Sequence, residues 1–161
     1  MMGVGKTATA KALAKLAEMA FLDLDSEIEA QTHLSINEIF RQKGEPFFRA
    51  EERKVLDRTL KLTHTVVATG GGIVLDPRNV EGMSRTGRIV YLAASFETLW
   101  ERVRGKKDRP LLAVLDPKAV FYQLFQVRKP LYETASGWRI ATDGLTPEQV
   151  AQKIVNQYLK T

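Results

Sequence analysis

The chain has 161 residues, a formal net charge of +5 and no cysteine, a length that suits one domain whose core buries roughly two-thirds of the unfolded surface. With 44% hydrophobic and 27% charged residues, the composition excludes a disordered chain; the lack of cysteine excludes a disulfide framework and a thiolate metal site. His33 and His64 have no partner at metal-ligand spacing, no apolar run approaches a bilayer span, and the first twenty residues lack a signal-peptide layout; a cytoplasmic protein is expected, with no membrane partner.

In chain order, residues 6–17 place Ala10, Leu13, Ala14 and Ala17 on one stripe, the spacing of an amphipathic helix. Residues 19–25 read as a strand. Ser35 and Glu38 form a capping box for a short helix to Lys43, and Pro46 is expected to open another helix to about Leu60. Residues 65–69, 88–92 and 138–141 are compact apolar runs of the kind buried in parallel sheets. A final helix starts at the capping box of Thr146 and Gln149, with Pro147 in its first turn, and is expected to bury Val150, Ile154 and Tyr158. Alternating strands and helices predict one α/β domain over residues 1–161, a parallel sheet with helices on both faces.

Gly3-Val4-Gly5-Lys6-Thr7 is the end of the pattern G-x-x-x-x-G-K-[ST], followed at once by a helix. Glycines let backbone N–H groups curl around phosphate oxygens, the helix start adds positive potential, Lys6 reaches the outer phosphates and Thr7 is placed for Mg²⁺. The first glycine of the pattern would fall one position before Met1, and the strand that normally carries such a loop is expected to be missing, leaving a gap beside residues 65–69.

Asp23 and Asp25 are spaced to share one face at the end of a strand, where α/β sheets bind ligands; Asp25 could instead cap a helix beginning at Ser26. Arg49 and Glu52 are helical neighbours, either an exposed ion pair or part of a site. Gly70, Gly71 and Gly72 end a strand without side chains, which suits close approach of a ligand or a plain turn.

Taken together, GVGKT, FLDLDSEIE, GEPFFRAEE, TGGG, RPLL at residues 109–112 and RKPLYE at residues 128–133 resemble the shikimate kinase family. The resemblance covers nearly the whole chain and implies a phosphate-loop kinase fold, like that of nucleoside monophosphate kinases, with its central first strand missing here. It implies ATP as phosphoryl donor, with Mg²⁺ held by Thr7 and Asp23. Gly3, Val4, Gly5, Lys6, Thr7 and Ala8 would bind nucleotide, with Arg102 and Pro147 about the adenine. The acceptor, shikimate, would meet Asp25, Arg49, Gly70, Gly71, Gly72 and Arg128, and about residues 26–60 would form an acceptor-binding segment. Phe40 and Phe48 would wall the ring, and Glu52 would orient Arg49. Asp25, Lys6 and Arg109 would carry catalysis, Arg109 from a lid at about residues 104–114.

The pI near 9.5 admits nucleic acid as a rival partner, but the cations are spread along the chain and tied to small-anion sites. Gluconate or a nucleoside monophosphate is a rival acceptor, and a nucleotide-binding homologue without turnover is a rival function, motivated by the shortened loop. A monomer acting on a small molecule, without nucleic acid, is the expectation.

Overall fold

A computed structural model describes residues 1–105, 112 and 114–159. Helix α1 (Lys6–Leu16) begins where Gly5 turns the chain through the left-handed region at φ 89°; it buries Ala10, Leu13 and Ala14 of the expected stripe, while Ala17 is the half-buried residue that ends it. Strand β1 (Ala20–Asp23) stops two residues before the expected end. Its last residue caps the next helix: the Asp23 carboxylate accepts from the backbone N–H groups of Asp25 and Ser26, and α2 (Leu24–Thr32) follows directly. Asp25 therefore stands in the first turn of a helix rather than on the strand, and the cap is Asp23.

Helix α3 (Ile36–Gln42) has the expected reciprocal capping box between Ser35 and Glu38. Helix α4 (Gly44–Thr59) starts two residues ahead of Pro46, because Gly44 makes the turn at φ 81°. Strand β2 (Thr65–Ala68) leads through the glycine run into a 3₁₀ turn (Ile73–Leu75) and α5 (Pro77–Thr86), capped by Asp76. Strand β3 (Val90–Ala93) begins two residues later than expected; α6 (Phe96–Val103) and α7 (Pro117–Ala135) follow. Strand β4 (Trp138–Ala141) matches its expected residues, and α8 (Pro147–Ile154) opens on the Thr146–Gln149 capping box and ends in a π turn (Val155–Leu159). Tyr158 is half-buried rather than buried, stacked on Trp138 with ring centroids 4.2 Å apart.

All pairing is parallel, but the sheet is divided. β1 pairs with β2, Ala20 opposite Thr65 and Asp23 opposite Ala68; β3 pairs with β4, Val90 opposite Trp138. Among the described residues no strand joins β2 to β3, so the expected single sheet is two parallel pairs with a gap beside β2. Helices α1 and α8 pack together on one side. The core gathers Leu24, Ile28, Ile39, Leu56, Leu99 and Phe121, each almost wholly buried. No helix among the described residues is long and apolar enough to cross a membrane.

Candidate active site

The loop before α1 and the carboxyl ends of β1 and β2 converge on one side of the fold. Gly3 and Gly5 both adopt left-handed backbone, at φ 81° and 89°, which a side chain would resist. Gly3 also lies against α6: a Cβ there would fall 2.7 Å from Val103 Cγ1 and 3.1 Å from the Leu99 carbonyl oxygen. Arg102, on the same helix, donates to the Gly3 carbonyl at 3.4 Å. Lys6 Nζ donates to the Met1 carbonyl at 2.9 Å, and Val4 is buried beneath the loop. The result is a helix N-terminus with a curled backbone ahead of it and a lysine folded across it, a geometry that suits an anion.

Thr7 and Asp23, far apart in sequence, meet here. Thr7 Oγ1 donates to Asp23 Oδ2 at 2.7 Å, while Asp23 Oδ1 serves the α2 cap. A hydroxyl and a carboxylate are hard oxygen donors, the kind Mg²⁺ takes when most of its shell is water and phosphate. No group of three or more His, Cys, Asp or Glu residues gathers as a self-sufficient metal site among the described residues, so this pair fits a metal that arrives with its anionic partner.

Beside the loop lies a cavity of about 250 Å³ lined by Asp25, Phe40, Phe48, Arg49, Glu52, Gly70, Gly71, Gly72 and Arg128. Four segments of the chain thus bring together every expected acceptor residue. Arg49 donates from Nε and Nη2 to Glu45 Oε1 at 3.1 and 2.8 Å and from Nη1 to Glu52 Oε2 at 2.8 Å. Its guanidinium lies 5.0 Å from the Phe48 ring centroid, and Phe48 packs on Phe40. Burial acts to lower the Arg49 pKa, but Glu52 and Glu45 outweigh it and hold the guanidinium above its ordinary value.

Glu52 behaves differently because it is more enclosed, with its side chain 1% exposed. Burial, reinforced by the nearby Asp25 carboxylate, pushes its carboxyl upward, and Arg49 and Arg128 only partly oppose this. Its Oε1 is buried without a hydrogen-bond partner. The glycine run explains itself as space: a Cβ on Gly70 would lie 2.7 Å from Glu52 Oε1 and 3.2 Å from Asp25 Oδ1, and one on Gly72 would fall on the Arg49 guanidinium.

Arg128 enters from α7 and is 5% exposed. Among the described residues no carboxylate lies within ion-pair distance of it. One turn further on, Tyr132 donates its hydroxyl to the Gly71 carbonyl and stacks on Tyr91 with centroids 5.2 Å apart. Burial, first among its causes, pushes the Tyr132 phenol up to about 12. Sequence reasoning did not single out Tyr132 or Glu45; the signal available was helical spacing, four residues from Arg128 and from Arg49 respectively.

Ala8 lies in the first turn of α1, and Pro147 opens α8, which packs against α1. Arg109 and most of the expected lid lie outside the described residues.

The family model for shikimate kinase matches residues 2–159 of the chain. A shikimate kinase of Coxiella burnetii is 40% identical over 157 residues, covering 96% of this chain and 88% of the relative. One from Thermodesulfovibrio yellowstonii is 41% identical, covering 98% and 90%. Among solved structures, the shikimate kinase of Acinetobacter baumannii in complex with shikimate superposes with a TM-score of 0.94 at 37% identity, covering 98% of this chain and 88% of that one. The Bacteroides thetaiotaomicron shikimate kinase gives 0.88 at 32% identity, covering 99% and 94%. The fold is that of these phosphate-loop kinases, and with a family match over nearly its full length the chain belongs to the shikimate kinase family.

Proposed function

We propose that the chain transfers the γ-phosphoryl group of ATP to the 3-hydroxyl of shikimate, giving shikimate 3-phosphate and ADP, a step of aromatic amino-acid biosynthesis. The observation that carries this reading is Arg128: a buried guanidinium without a carboxylate partner among the described residues, facing the same cavity as Arg49. A planar guanidinium pairs bidentately with a carboxylate, and two of them orient as well as neutralise it. Shikimate is bound in the Acinetobacter baumannii relative, which supports the same acceptor here over gluconate or a nucleoside monophosphate.

In this reading Arg49, Arg128 and the glycine run hold the acid and its ring, with Phe40 and Phe48 as walls and Glu52 fixing Arg49. Gly3 to Ala8 hold the phosphates of ATP, and Arg102 and Pro147 flank its base. Transfer forms a bond from the acceptor oxygen to the γ-phosphorus, breaks the bond to the bridging oxygen of ADP, and moves the hydroxyl proton to Asp25. Because such a transition state is loose, positioning and charge contribute more than base strength. Lys6 and Arg109 supply positive charge along the transferring group. Thr7 and Asp23 would hold Mg²⁺, whose charge offsets that of the phosphates when bound. The lid at about residues 104–114 excludes water, and the enzyme acts as a cytoplasmic monomer on small molecules alone.

ADP release that depends on Mg²⁺ and requires shikimate is the expected result with a panel of acceptors. Equal release with gluconate or AMP would overturn the substrate. A second reading, a nucleotide-binding homologue without turnover, is favoured by the gap beside β2; tight ATP binding with no shikimate-dependent turnover is its outcome.

A further inference from the structure

Each of the three backbone carbonyls in the glycine run after β2 is engaged by a donor of the protein. Gly70 accepts from the Ile73 N–H at 3.3 Å and Gly72 from the Leu75 N–H at 3.0 Å, the bonds of the 3₁₀ turn. Gly71 lies outside that pattern, and its carbonyl accepts from the Tyr132 hydroxyl on α7 instead. In a trans peptide the N–H points opposite the C=O of the same plane, and no peptide among the described residues is cis. An engaged carbonyl therefore turns the N–H of the next residue the other way. The bond from Tyr132 sets the direction of the Gly72 N–H.

Glycine is the residue least able to hold such a direction by itself. If the Gly71–Gly72 peptide rotated, a carbonyl oxygen would stand where the N–H had been, and the local dipole would change sign. Tyr132 is placed to hold it. The residue is 7% exposed, stacks on Tyr91 with centroids 5.2 Å apart, and follows Arg128 by one turn of α7. A Cβ on Gly71 would lie 3.4 Å from the Tyr132 oxygen, so the phenol stands in contact with the run. Burial, first among its causes, holds that phenol up at about 12, which keeps it a donor at neutral pH. The Arg128 guanidinium acts on the same phenol by charge and by hydrogen bonding. Arginine and glycine run are thus joined through one oxygen, and both line the acceptor cavity.

We propose that Tyr132 is a positioning residue for the acceptor: it locks the Gly71–Gly72 peptide with its N–H toward the cavity, so that this amide and Arg128 form one receptor for the acceptor's carboxylate. The inference rests on the reading of that cavity as the site of a carboxylated acceptor. It places the arginine and the group that orients the backbone one turn apart on a single helix, so α7 fixes their separation.

The test measures, by calorimetry, binding of shikimate and of an uncharged analogue with a hydroxymethyl group in place of the carboxylate. Tyr132→Phe keeps the stacked ring and removes the bond to Gly71. It is expected to weaken shikimate by about 10-fold or more, as loss of a buried partner does, and the analogue by less than about 2-fold. KM for shikimate should rise in step, with kcat at saturation and ATP binding near those of the parent. Tyr91→Phe, which alters the other ring of the stack, is expected to leave both affinities in place. Equal weakening of the two acceptors, unchanged shikimate binding, or the same loss in Tyr91→Phe would overturn the proposal and reduce Tyr132 to packing. A parent chain that binds shikimate no more tightly than the analogue would overturn the carboxylate reading itself, and the proposal with it, so the two failures are told apart by the parent alone.

Discussion

Asp25 and Arg128 carry different kinds of prediction although they face one cavity. In the proposed transfer Asp25 takes the acceptor proton, so Asp25→Asn is expected to lower kcat by about 10²-fold or more, in line with loss of a general base, with ATP affinity unchanged in a nucleotide titration. Arg128 is a buried cation with no carboxylate partner among the described residues. Removing a buried charge that makes no close ion pair relieves a desolvation cost, which offsets the loss of a cation near the Glu52 carboxyl; Arg128→Met is therefore expected to keep Tm close to the parent while abolishing shikimate binding by calorimetry. A fall in Tm would make Arg128 a structural residue instead. Glu52 offers a pH signature. Its carboxyl is held above the ordinary 4.5, mainly by burial, so its contribution to stability is complete below pH 4.5 and is lost as pH rises through the raised folded value. Relative to Glu52→Gln, the parent should lose stability over that rise, read as the difference between their thermal unfolding curves.

At the scale of elements, Asp23 joins three of them: it ends β1, caps α2 and accepts from Thr7 on α1. Its two oxygens do separate work, and substitution can part them. Asp23→Ala is expected to cost about 1 kcal/mol from the lost cap, together with a higher Mg²⁺ requirement. Asp23→Ser keeps a cap acceptor, so its Tm should stay close to the parent while the Mg²⁺ titration still shifts upward. An unshifted titration in the serine variant would leave Asp23 as a cap alone. The strand-to-helix switch also shows why Asp23 and Asp25 do not share a face in the manner of alternate strand residues. Local hydrogen bonding to an aspartate carboxylate from the second and third amides beyond it ends a strand as readily as it starts a helix, and a seven-residue apolar and acidic run contains no mark of where that happens.

The whole molecule is governed by the divided sheet. Enlarging a side chain in a close-packed core typically costs about 1–3 kcal/mol. Val67 borders two cavities in the gap between β2 and β3, of about 240 and 490 Å³, so Val67→Leu is expected to be neutral or stabilising in denaturant unfolding. Ile28→Phe, in the filled core between α2 and α4, should be destabilising by the usual amount. A comparable loss at both positions would mean that the gap between β2 and β3 is closed in solution.

Much of this protein could be read from residues alone because the signals were local. The phosphate loop, both capping boxes, the α1 stripe and the four strand cores depend on spacings of two to four residues, which backbone geometry turns directly into structure. The expected acceptor residues were legible as separate fragments. Their convergence was not: Asp25, Arg49, Gly72 and Arg128 lie on four segments, and only packing of α2, α4 and α7 around the end of β2 closes a cavity among them. The same packing decided that Arg128 is buried, that Glu52 is enclosed beside Asp25, and that Tyr132 reaches the Gly71 carbonyl. Burial and electrostatic environment are sums over neighbours distant in the chain, so residue order determined which groups were available, and tertiary contact alone determined what each one experiences.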